Sequence, residues 1–192
     1  MYEIIDNFLP ESEFKEMKEW ASAQSYPSQQ DWYPYLTNDE NISIKKPSVG
    51  RDIHFFKENK MVDKSIVHFQ KKIFDMLNKK DGDTDPNKKV HYTEFKSHLY
   101  KYGYGSGILM HKDHSTKSDA TRYGIPFYLN DEWNANWGGE LIVYESNEPK
   151  DIIMPKRNRL AIVNGNYHKV SPNLNQVIDR LTLQTFIVKK DK

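Results

Sequence analysis

The sequence contains no cysteine among its 192 residues. Disulfide bonds, cysteine zinc sites and iron–sulfur clusters are therefore excluded, because each of them needs cysteine sulfur. A metal ion held by this chain would have to be bound by histidine, aspartate or glutamate side chains.

Long apolar runs and an excess of one charge are also missing. No stretch approaches the roughly 20 apolar residues of a membrane-spanning helix, and the start of the chain lacks the basic residues of a secretory signal. The formal net charge is only +1, and the lysine pairs are offset by nearby aspartates, which disfavours a nucleic-acid surface. We therefore expect a cytoplasmic protein with no membrane or nucleic-acid partner.

Aromatic residues, in contrast, are frequent and make up 13% of the chain. This content favours a folded protein over a disordered one. The length suits one domain over residues 1–192. We expect residues 1–90 to form a helical brace and a flap, and residues 91–188 to form a β-rich core.

Apolar positions at helical spacing predict two amphipathic helices, one beginning near Ser12 and one over about residues 62–78. A short apolar strand over residues 2–5 precedes the first helix. Residues 24–50 are rich in Gln, Ser, Tyr, Pro and Asn without periodicity, which predicts a long irregular segment. We interpret this segment as a flap over the site.

From residue 91 onward, short apolar segments alternate with Gly, Asn and Pro, which is typical of antiparallel strands. The expected strands are 95–102, 108–112, 122–129, 140–144, 151–154, 160–163, 168–171 and 180–188. This number of strands indicates a sandwich or barrel, and a double-stranded β-helix, or jelly roll, accommodates it. The predicted fold class is α+β, mainly β, with the N-terminal helices bracing one face of a jelly-roll core.

Two histidines and one aspartate have the spacing of a metal site. His111 and Asp113 are separated by one residue, and alternate residues of a strand point to the same face, so both could contact one ion. His168 follows the turn-forming residues 164–166 in a second strand-like segment. Two imidazoles and one carboxylate leave other metal positions open for a co-substrate and O₂, which is the arrangement of non-haem Fe(II) oxygenases.

The residues around this trio resemble those of prolyl-hydroxylase-like 2-oxoglutarate oxygenases. The resemblance rests on Tyr-Gly-Tyr-Gly-Ser-Gly at 102–107, Phe-Tyr-Leu-Asn-Asp-Glu-Trp at 127–133, Trp-Gly-Gly-Glu-Leu at 137–141, the segment 155–163, and the order of His168, Val170 and Arg180. It covers about residues 91–188. It implies that His111, Asp113 and His168 bind Fe(II). It assigns Arg180 to the far carboxylate of 2-oxoglutarate.

A second set of residues points to the same co-substrate. Arg180 and Thr182 share one face of the predicted strand 180–188, where a guanidinium and a hydroxyl form a fork for a carboxylate. The resemblance adds Tyr128, whose hydroxyl would reach the same carboxylate, and Tyr102 as a further candidate. Packing in an aromatic core is the alternative for both tyrosines. Arginine rather than lysine at position 180 resembles the oxygen-sensing and bacterial branch of the prolyl hydroxylases.

The resemblance implies a 2-oxoglutarate- and Fe(II)-dependent dioxygenase that uses O₂, is supported by ascorbate, and converts 2-oxoglutarate to succinate while it hydroxylates a C–H bond. A prolyl residue of a protein or peptide is the favoured substrate. A free amino acid or small metabolite is the alternative substrate, and the neutral charge disfavours nucleic-acid demethylation. A non-catalytic jelly-roll binding module is the alternative from a different class of protein.

Overall fold

The computed structural model describes residues 2–26, 44, 47–54, 64–81, 92–113 and 120–190. Within these ranges the chain forms ten strands, two α-helices and one 3₁₀ turn over Ala135–Trp137. The helices are α1 (Glu11–Ser22) and α2 (Lys64–Asp81). The strands are β1 (Tyr2–Ile5), β2 (Ser48–His54), β3 (Tyr92–Tyr102), β4 (Ile108–His111), β5 (Ala120–Tyr128), β6 (Leu141–Glu145), β7 (Glu148–Ile153), β8 (Leu160–Asn164), β9 (Tyr167–Val170) and β10 (Arg180–Lys190).

The strands form two antiparallel sheets. The larger sheet has the order β1-β8-β5-β10-β3-β2, and the smaller sheet has the order β4-β9-β6-β7. Strand β10 lies inside the larger sheet and pairs with β3 on one side and β5 on the other. This mainly β arrangement with helices confirms the predicted α+β jelly-roll fold.

The two faces of the larger sheet have different partners because alternate side chains of a strand point in opposite directions. One face packs against α1 and α2, where the rings of Phe14 and Phe69 lie 6.1 and 5.0 Å from the ring of Phe127 on β5. The other face shares a second apolar cluster with the smaller sheet, which includes Tyr128 from β5 and Val143 from β6. The helices therefore brace one face, as expected, and the opposite face is directed toward the smaller sheet.

Helix α1 begins directly after Pro10, whose carbonyl accepts the Phe14 amide at 2.9 Å. Glu11 and Glu13 in its first turn suit the positive end of the helix dipole. Its buried residues are Phe14, Met17 and Ala21, so the helical spacing read from the sequence corresponds to the face that packs on the sheet.

Every strand predicted from residue 91 onward is present, with ends displaced by at most three residues. The structure corrects the prediction in one place, since residues 48–50, expected to be irregular, belong to β2. Most of the predicted flap over residues 24–50 lies outside the described residues. No helix in the described ranges is long and apolar enough to span a membrane.

Candidate functional site

Three side chains meet where β4 ends beside β9 in the smaller sheet, namely His111, Asp113 and His168. We call these three residues the triad. His111 on β4 and His168 on β9 are direct cross-strand neighbours, with ring centroids 4.3 Å apart. Asp113 Oδ1 lies 3.7 Å from His111 Nε2, and Asp113 Oδ2 lies 3.8 Å from His168 Nε2. One ligand atom from each residue lies within 4.8 Å of the others, so all three could reach a single ion.

The backbone position of Asp113 differs from the predicted one. Strand β4 ends at His111, so Lys112 and Asp113 lie beyond it and do not continue the alternation of a strand. The carboxylate is directed instead toward β5, where a β-carbon added to Gly124 would lie 2.3 Å from Asp113 Oδ2. The predicted shared strand face is therefore wrong, although the two side chains do meet.

The orientation of both imidazoles is set by backbone carbonyls. His111 Nδ1 lies 2.8 Å from the Leu109 carbonyl oxygen, and His168 Nδ1 lies 3.0 Å from that of Asn166. A carbonyl oxygen can only accept a hydrogen bond, so each Nδ1 carries the proton and donates it. The lone pair of each neutral ring is then on Nε2, the atom nearest Asp113. This is the tautomer that a metal-binding histidine uses when its second nitrogen donates to the backbone.

A buried cation lies at the other end of the site. Arg180, only 1% exposed, begins β10 opposite Tyr102 on β3, and its guanidinium carbon lies 4.4 Å from the centre of the Tyr102 ring. Thr182, two residues further, is the cross-strand neighbour of Tyr128 on β5. The Tyr128 ring centre lies 5.0 Å from the guanidinium carbon. The structure therefore brings together all four residues predicted for the co-substrate.

Several polar atoms of this group lack a hydrogen bond to any other described residue. They are Nε and Nη1 of Arg180, the hydroxyl of Tyr128 and Oγ1 of Thr182. Leaving such atoms buried and unsatisfied costs about 1–3 kcal/mol each, and more for a charged group. A carboxylate would satisfy all of them at once, because it accepts several hydrogen bonds and neutralises the guanidinium.

Burial also sets the protonation of the phenol. It raises the pKa of Tyr128, and the nearby positive charge of Arg180 opposes part of that shift. The hydroxyl therefore remains protonated at neutral pH and can donate a hydrogen bond to an anion.

Two asparagines hold the strand end that carries Arg180, and nothing in the sequence pattern had singled them out. Asn130 accepts the Leu181 amide at 2.8 Å and donates to the Asp179 carbonyl at 2.8 Å, so it binds the backbone on both sides of Arg180. Asn173 is fully buried and donates to the Tyr102 carbonyl at 2.8 Å. Their side chains replace missing strand partners, which only the tertiary structure reveals.

One cavity of about 750 Å³ connects the triad with the cation. Tyr102 and Arg180 line one end, and Lys96 and Phe186 line the other. Sequence reasoning missed Lys96, Gln184 and Phe186 as lining residues. The alternation of β10 from Arg180 onward would have indicated the last two, since every second residue shares its face.

The comparisons with known proteins agree with this geometry. The profile of the 2OG-Fe(II) oxygenase superfamily matches residues 97–188. A prolyl 4-hydroxylase from Pseudomonas putida matches with a TM-score of 0.69 at 16% identity, over 99% of this chain and 92% of the other. A prolyl hydroxylase from Trichoplax adhaerens, solved with a peptide fragment of the hypoxia inducible factor oxygen degradation domain, matches with a TM-score of 0.66 at 20% identity, over 98% and 83% of the two chains.

A third solved structure is the viral collagen prolyl hydroxylase of Paramecium Bursaria Chlorella virus-1 in complex with 2-oxoglutarate. It matches with a TM-score of 0.59 at 18% identity, over 97% of this chain and 95% of the other. No curated protein matches the chain in sequence.

The jelly-roll fold, the triad and the buried cation fit a non-haem oxygenase. Residues 97–188 match the domain of the 2OG-Fe(II) oxygenase superfamily, and the chain has the fold of prolyl hydroxylases, which together support a 2-oxoglutarate-dependent dioxygenase. This confirms the class and the cofactors expected from the sequence, because the family requires Fe(II), 2-oxoglutarate and O₂.

Proposed function

We propose that this enzyme hydroxylates a prolyl residue of a protein or peptide, with Fe(II) bound by the triad and 2-oxoglutarate anchored by Arg180. One observation carries the proposal, namely that a buried guanidinium with unsatisfied nitrogens shares a cavity with His111, Asp113 and His168. A metal ligand set and a carboxylate-binding group that line one cavity fit a co-substrate with both a chelating end and a carboxylate tail.

The triad supplies two neutral imidazoles and one carboxylate, the ligand set that leaves coordination positions open on Fe(II). Bound there with 2-oxoglutarate and O₂, the iron would couple decarboxylation to succinate with the insertion of one oxygen atom into a substrate C–H bond. The carbonyl groups that fix the imidazole protons on Nδ1 keep both Nε2 atoms available. The carboxylate of Asp113 would balance part of the charge of a bound metal ion.

Arg180 would bind the far carboxylate of 2-oxoglutarate through the nitrogens that have no protein partner. Thr182 and Tyr128 would donate to the same carboxylate. Tyr102 packs on the guanidinium and keeps it in place. Ile108, Leu141, Val163 and Val170 also line the cavity and would exclude water from the bound co-substrate.

A peptide substrate is supported by the fold and by the size of the cavity. The similar Trichoplax adhaerens prolyl hydroxylase was solved with a peptide fragment, which is a property of that protein. The cavity in this chain has about 750 Å³, which exceeds what a small co-substrate alone would fill. A free amino acid is the alternative substrate.

The test uses purified enzyme with Fe(II), 2-oxoglutarate, O₂ and ascorbate, together with a panel of proline-containing peptides and free L-proline. We expect succinate formation that depends on a peptide, with a gain of one oxygen on proline detected by mass spectrometry. Stimulation by free proline alone would favour the metabolite alternative. The proposal fails if no member of the panel gains oxygen.

The ligand assignment has its own test, which adds metal binding as a readout that does not depend on turnover. His111→Ala and Asp113→Ala should each abolish succinate formation and weaken the binding of Co(II), followed by its absorption spectrum. Lys150→Gln is the control, because Lys150 on β7 pairs with Glu145 at the end of β6 and neither residue lines the cavity. Unchanged Co(II) binding in either triad variant would contradict the assignment.

A further inference from the structure

The three residues of the triad differ in how their orientation is fixed. In each imidazole, Nδ1 donates to a backbone carbonyl two residues earlier in the chain, at 2.8 Å for His111 and 3.0 Å for His168. Oδ2 of Asp113 is buried, and it has no hydrogen bond to any other described residue. Carboxylates that ligate a metal ion are ordinarily held by a hydrogen-bond donor, as imidazole ligands are held by an acceptor. The carboxylate therefore needs an orienting group of its own.

A donor lies close to this carboxylate on β10. Gln184 is half-buried and lines the cavity. A β-carbon built on Gly124 would lie 2.3 Å from Asp113 Oδ2 and 3.5 Å from Gln184 Nε2, so these two atoms are at most about 5.8 Å apart. Among the described residues, the three atoms nearest to that point, beyond Gly124 and its two chain neighbours, all belong to Asp113 and Gln184. The amide is thus the donor next to the carboxylate.

The large sheet holds the base of this side chain and leaves its end able to turn. Gln184 lies opposite His98 on β3 and Pro126 on β5, so its backbone is paired on both sides. Gly124 and Pro126 are alternate residues of β5 and both line the cavity. Because Gly124 has no side chain, the space above it is open to both Asp113 and Gln184. A hydrogen bond needs about 2.9 Å, and rotation about the side-chain torsions of Gln184 can bring the two atoms to that distance.

An amide suits this task better than a charged donor would. When one oxygen of Asp113 ligates a metal ion, the other oxygen keeps its capacity to accept a hydrogen bond. The amide nitrogen of glutamine donates two hydrogen bonds and carries no charge. It can fix the carboxylate without offsetting the negative charge that attracts the ion, whereas a lysine or arginine at this place would compete with the metal.

We propose that Gln184 is a positioning residue, whose Nε2 donates to Oδ2 of Asp113 and holds the carboxylate in its metal-binding orientation. The proposal rests on the assignment of the triad to Fe(II) in the proposed function. It adds a residue that acts through Asp113 and does not touch the ion. Direct contact with the co-substrate is the alternative role for a residue that lines the cavity.

The test uses Gln184→Met in the full-length protein, because methionine keeps the length of the side chain and removes the amide. Calorimetry measures the affinity for Co(II), and the visible absorption spectrum of the Co(II) protein reports the arrangement of the ligands. We expect the affinity to fall about tenfold and the spectrum to shift. The melting temperature of the metal-free protein should not change, since Oδ2 of Asp113 has no hydrogen bond there that the substitution could remove. The affinity for 2-oxoglutarate at saturating Mn(II) should also stay at the wild-type value.

Gln24→Met is the matched control. It removes a glutamine amide that donates to the Trp20 carbonyl at 2.9 Å, and Gln24 does not line the cavity. This variant should retain the wild-type affinity for Co(II) and the wild-type spectrum.

Three results would overturn the proposal. The first is an unchanged Co(II) affinity and spectrum in Gln184→Met. The second is a loss of 2-oxoglutarate affinity at saturating Mn(II) with unchanged Co(II) binding, because Gln184 would then contact the co-substrate. The third is a lower melting temperature of the metal-free variant, which would indicate a structural role.

The proposed function fails in a different way. If Asp113→Ala loses Co(II) binding while Gln184→Met retains it in full, the ligand assignment stands and the positioning role is wrong. If both variants weaken Co(II) binding as expected but no proline residue gains oxygen, the prolyl substrate is wrong and the positioning role stands.

Discussion

The α-carbon of Gly124 lies directly against the carboxylate of Asp113. A β-carbon at position 124 would be 2.3 Å from Asp113 Oδ2 and 3.5 Å from the Gln184 amide nitrogen. No β-carbon approaches an oxygen atom so closely, so the position of Asp113 within the triad depends on the missing side chain of Gly124.

Gly124→Ala should therefore displace Asp113 and weaken metal binding. We expect Co(II) affinity to fall about 10–100-fold, which is the usual effect of disturbing a group that orients a metal ligand. Circular dichroism should show that the fold is retained. The matched control is Gly103→Ala, whose added β-carbon would meet its nearest atom at an ordinary 3.4 Å. Wild-type Co(II) affinity in Gly124→Ala would contradict the prediction.

Arg180→Met should abolish the thermal stabilisation that 2-oxoglutarate produces in the Mn(II)-loaded enzyme. Removing one partner of a buried ion pair typically costs about 3–5 kcal/mol, which corresponds to a loss of affinity of at least about 100-fold. The variant without co-substrate should be at least as stable as the wild type, because the buried Nε and Nη1 have no described protein partner to lose. Differential scanning fluorimetry with and without 2-oxoglutarate measures both effects.

Arg159→Met is the matched control for this experiment. Arg159 is less deeply buried than Arg180, and its Nε and Nη2 donate to Asp6 at 2.6 and 3.0 Å. We expect this variant to lower the melting temperature and to retain the shift on adding 2-oxoglutarate. If Arg180→Met instead lowered the melting temperature and retained the shift on adding 2-oxoglutarate, Arg180 would be a structural residue.

The carboxylate of Asp6 links stability to pH. Hydrogen bonds from Arg159, and secondarily from Lys156, hold the pKa of Asp6 well below its ordinary value. A carboxyl group with a lowered pKa in the folded state stabilises the fold above its unfolded pKa of about 3.9, and this contribution is lost as the pH falls toward the folded pKa.

Asp6→Asn should therefore destabilise the protein at neutral pH and not at strongly acidic pH. We expect about 1 kcal/mol at neutral pH, because the carboxylate is about a third exposed and solvent screens the pair. Urea unfolding of the wild type and variant at both pH values measures the difference. Glu145→Gln removes an exposed surface pair with Lys150 and should have a much smaller effect. An equal loss at both pH values would exclude the ionic explanation.

Asn158 joins the segment after β1 to the large sheet. Its Oδ1 accepts the Leu9 amide at 2.9 Å, its Nδ2 donates to the Leu9 carbonyl at 2.7 Å, and the side chain is buried. Its backbone has a positive φ of 56°. Asn158→Ala should cost about 2–4 kcal/mol, because it leaves two buried backbone groups unpaired and strains the backbone.

Asn158→Gly separates the two contributions, because glycine tolerates the positive φ but cannot make the hydrogen bonds. It should be less destabilising than Asn158→Ala in urea unfolding. Equal losses in the two variants would show that backbone strain contributes nothing.

The elements that could be predicted are those whose signal is local. The apolar spacing of α1 and the alternation of β10 are read within one segment, so Phe14 and Thr182 were assigned to the correct faces. Strand β2 was missed because its sequence, Ser-Val-Gly-Arg-Asp-Ile-His, lacks apolar alternation. It is a strand because it pairs with the edge of β3, and a pairing between distant segments leaves no periodic signal.

The candidate site likewise combines features that are local in the sequence with features that depend on contacts between distant segments. The sequence by itself determined which chemical groups are available and, through the period of a strand, that Arg180 and Thr182 share a face. Only the tertiary structure decided that His111 faces His168 across β4 and β9, and that Asp113 is directed toward Gly124 instead of following a strand. Side-chain periodicity is set by the covalent geometry of each segment, whereas register and close packing arise from contacts between segments that are far apart in the chain.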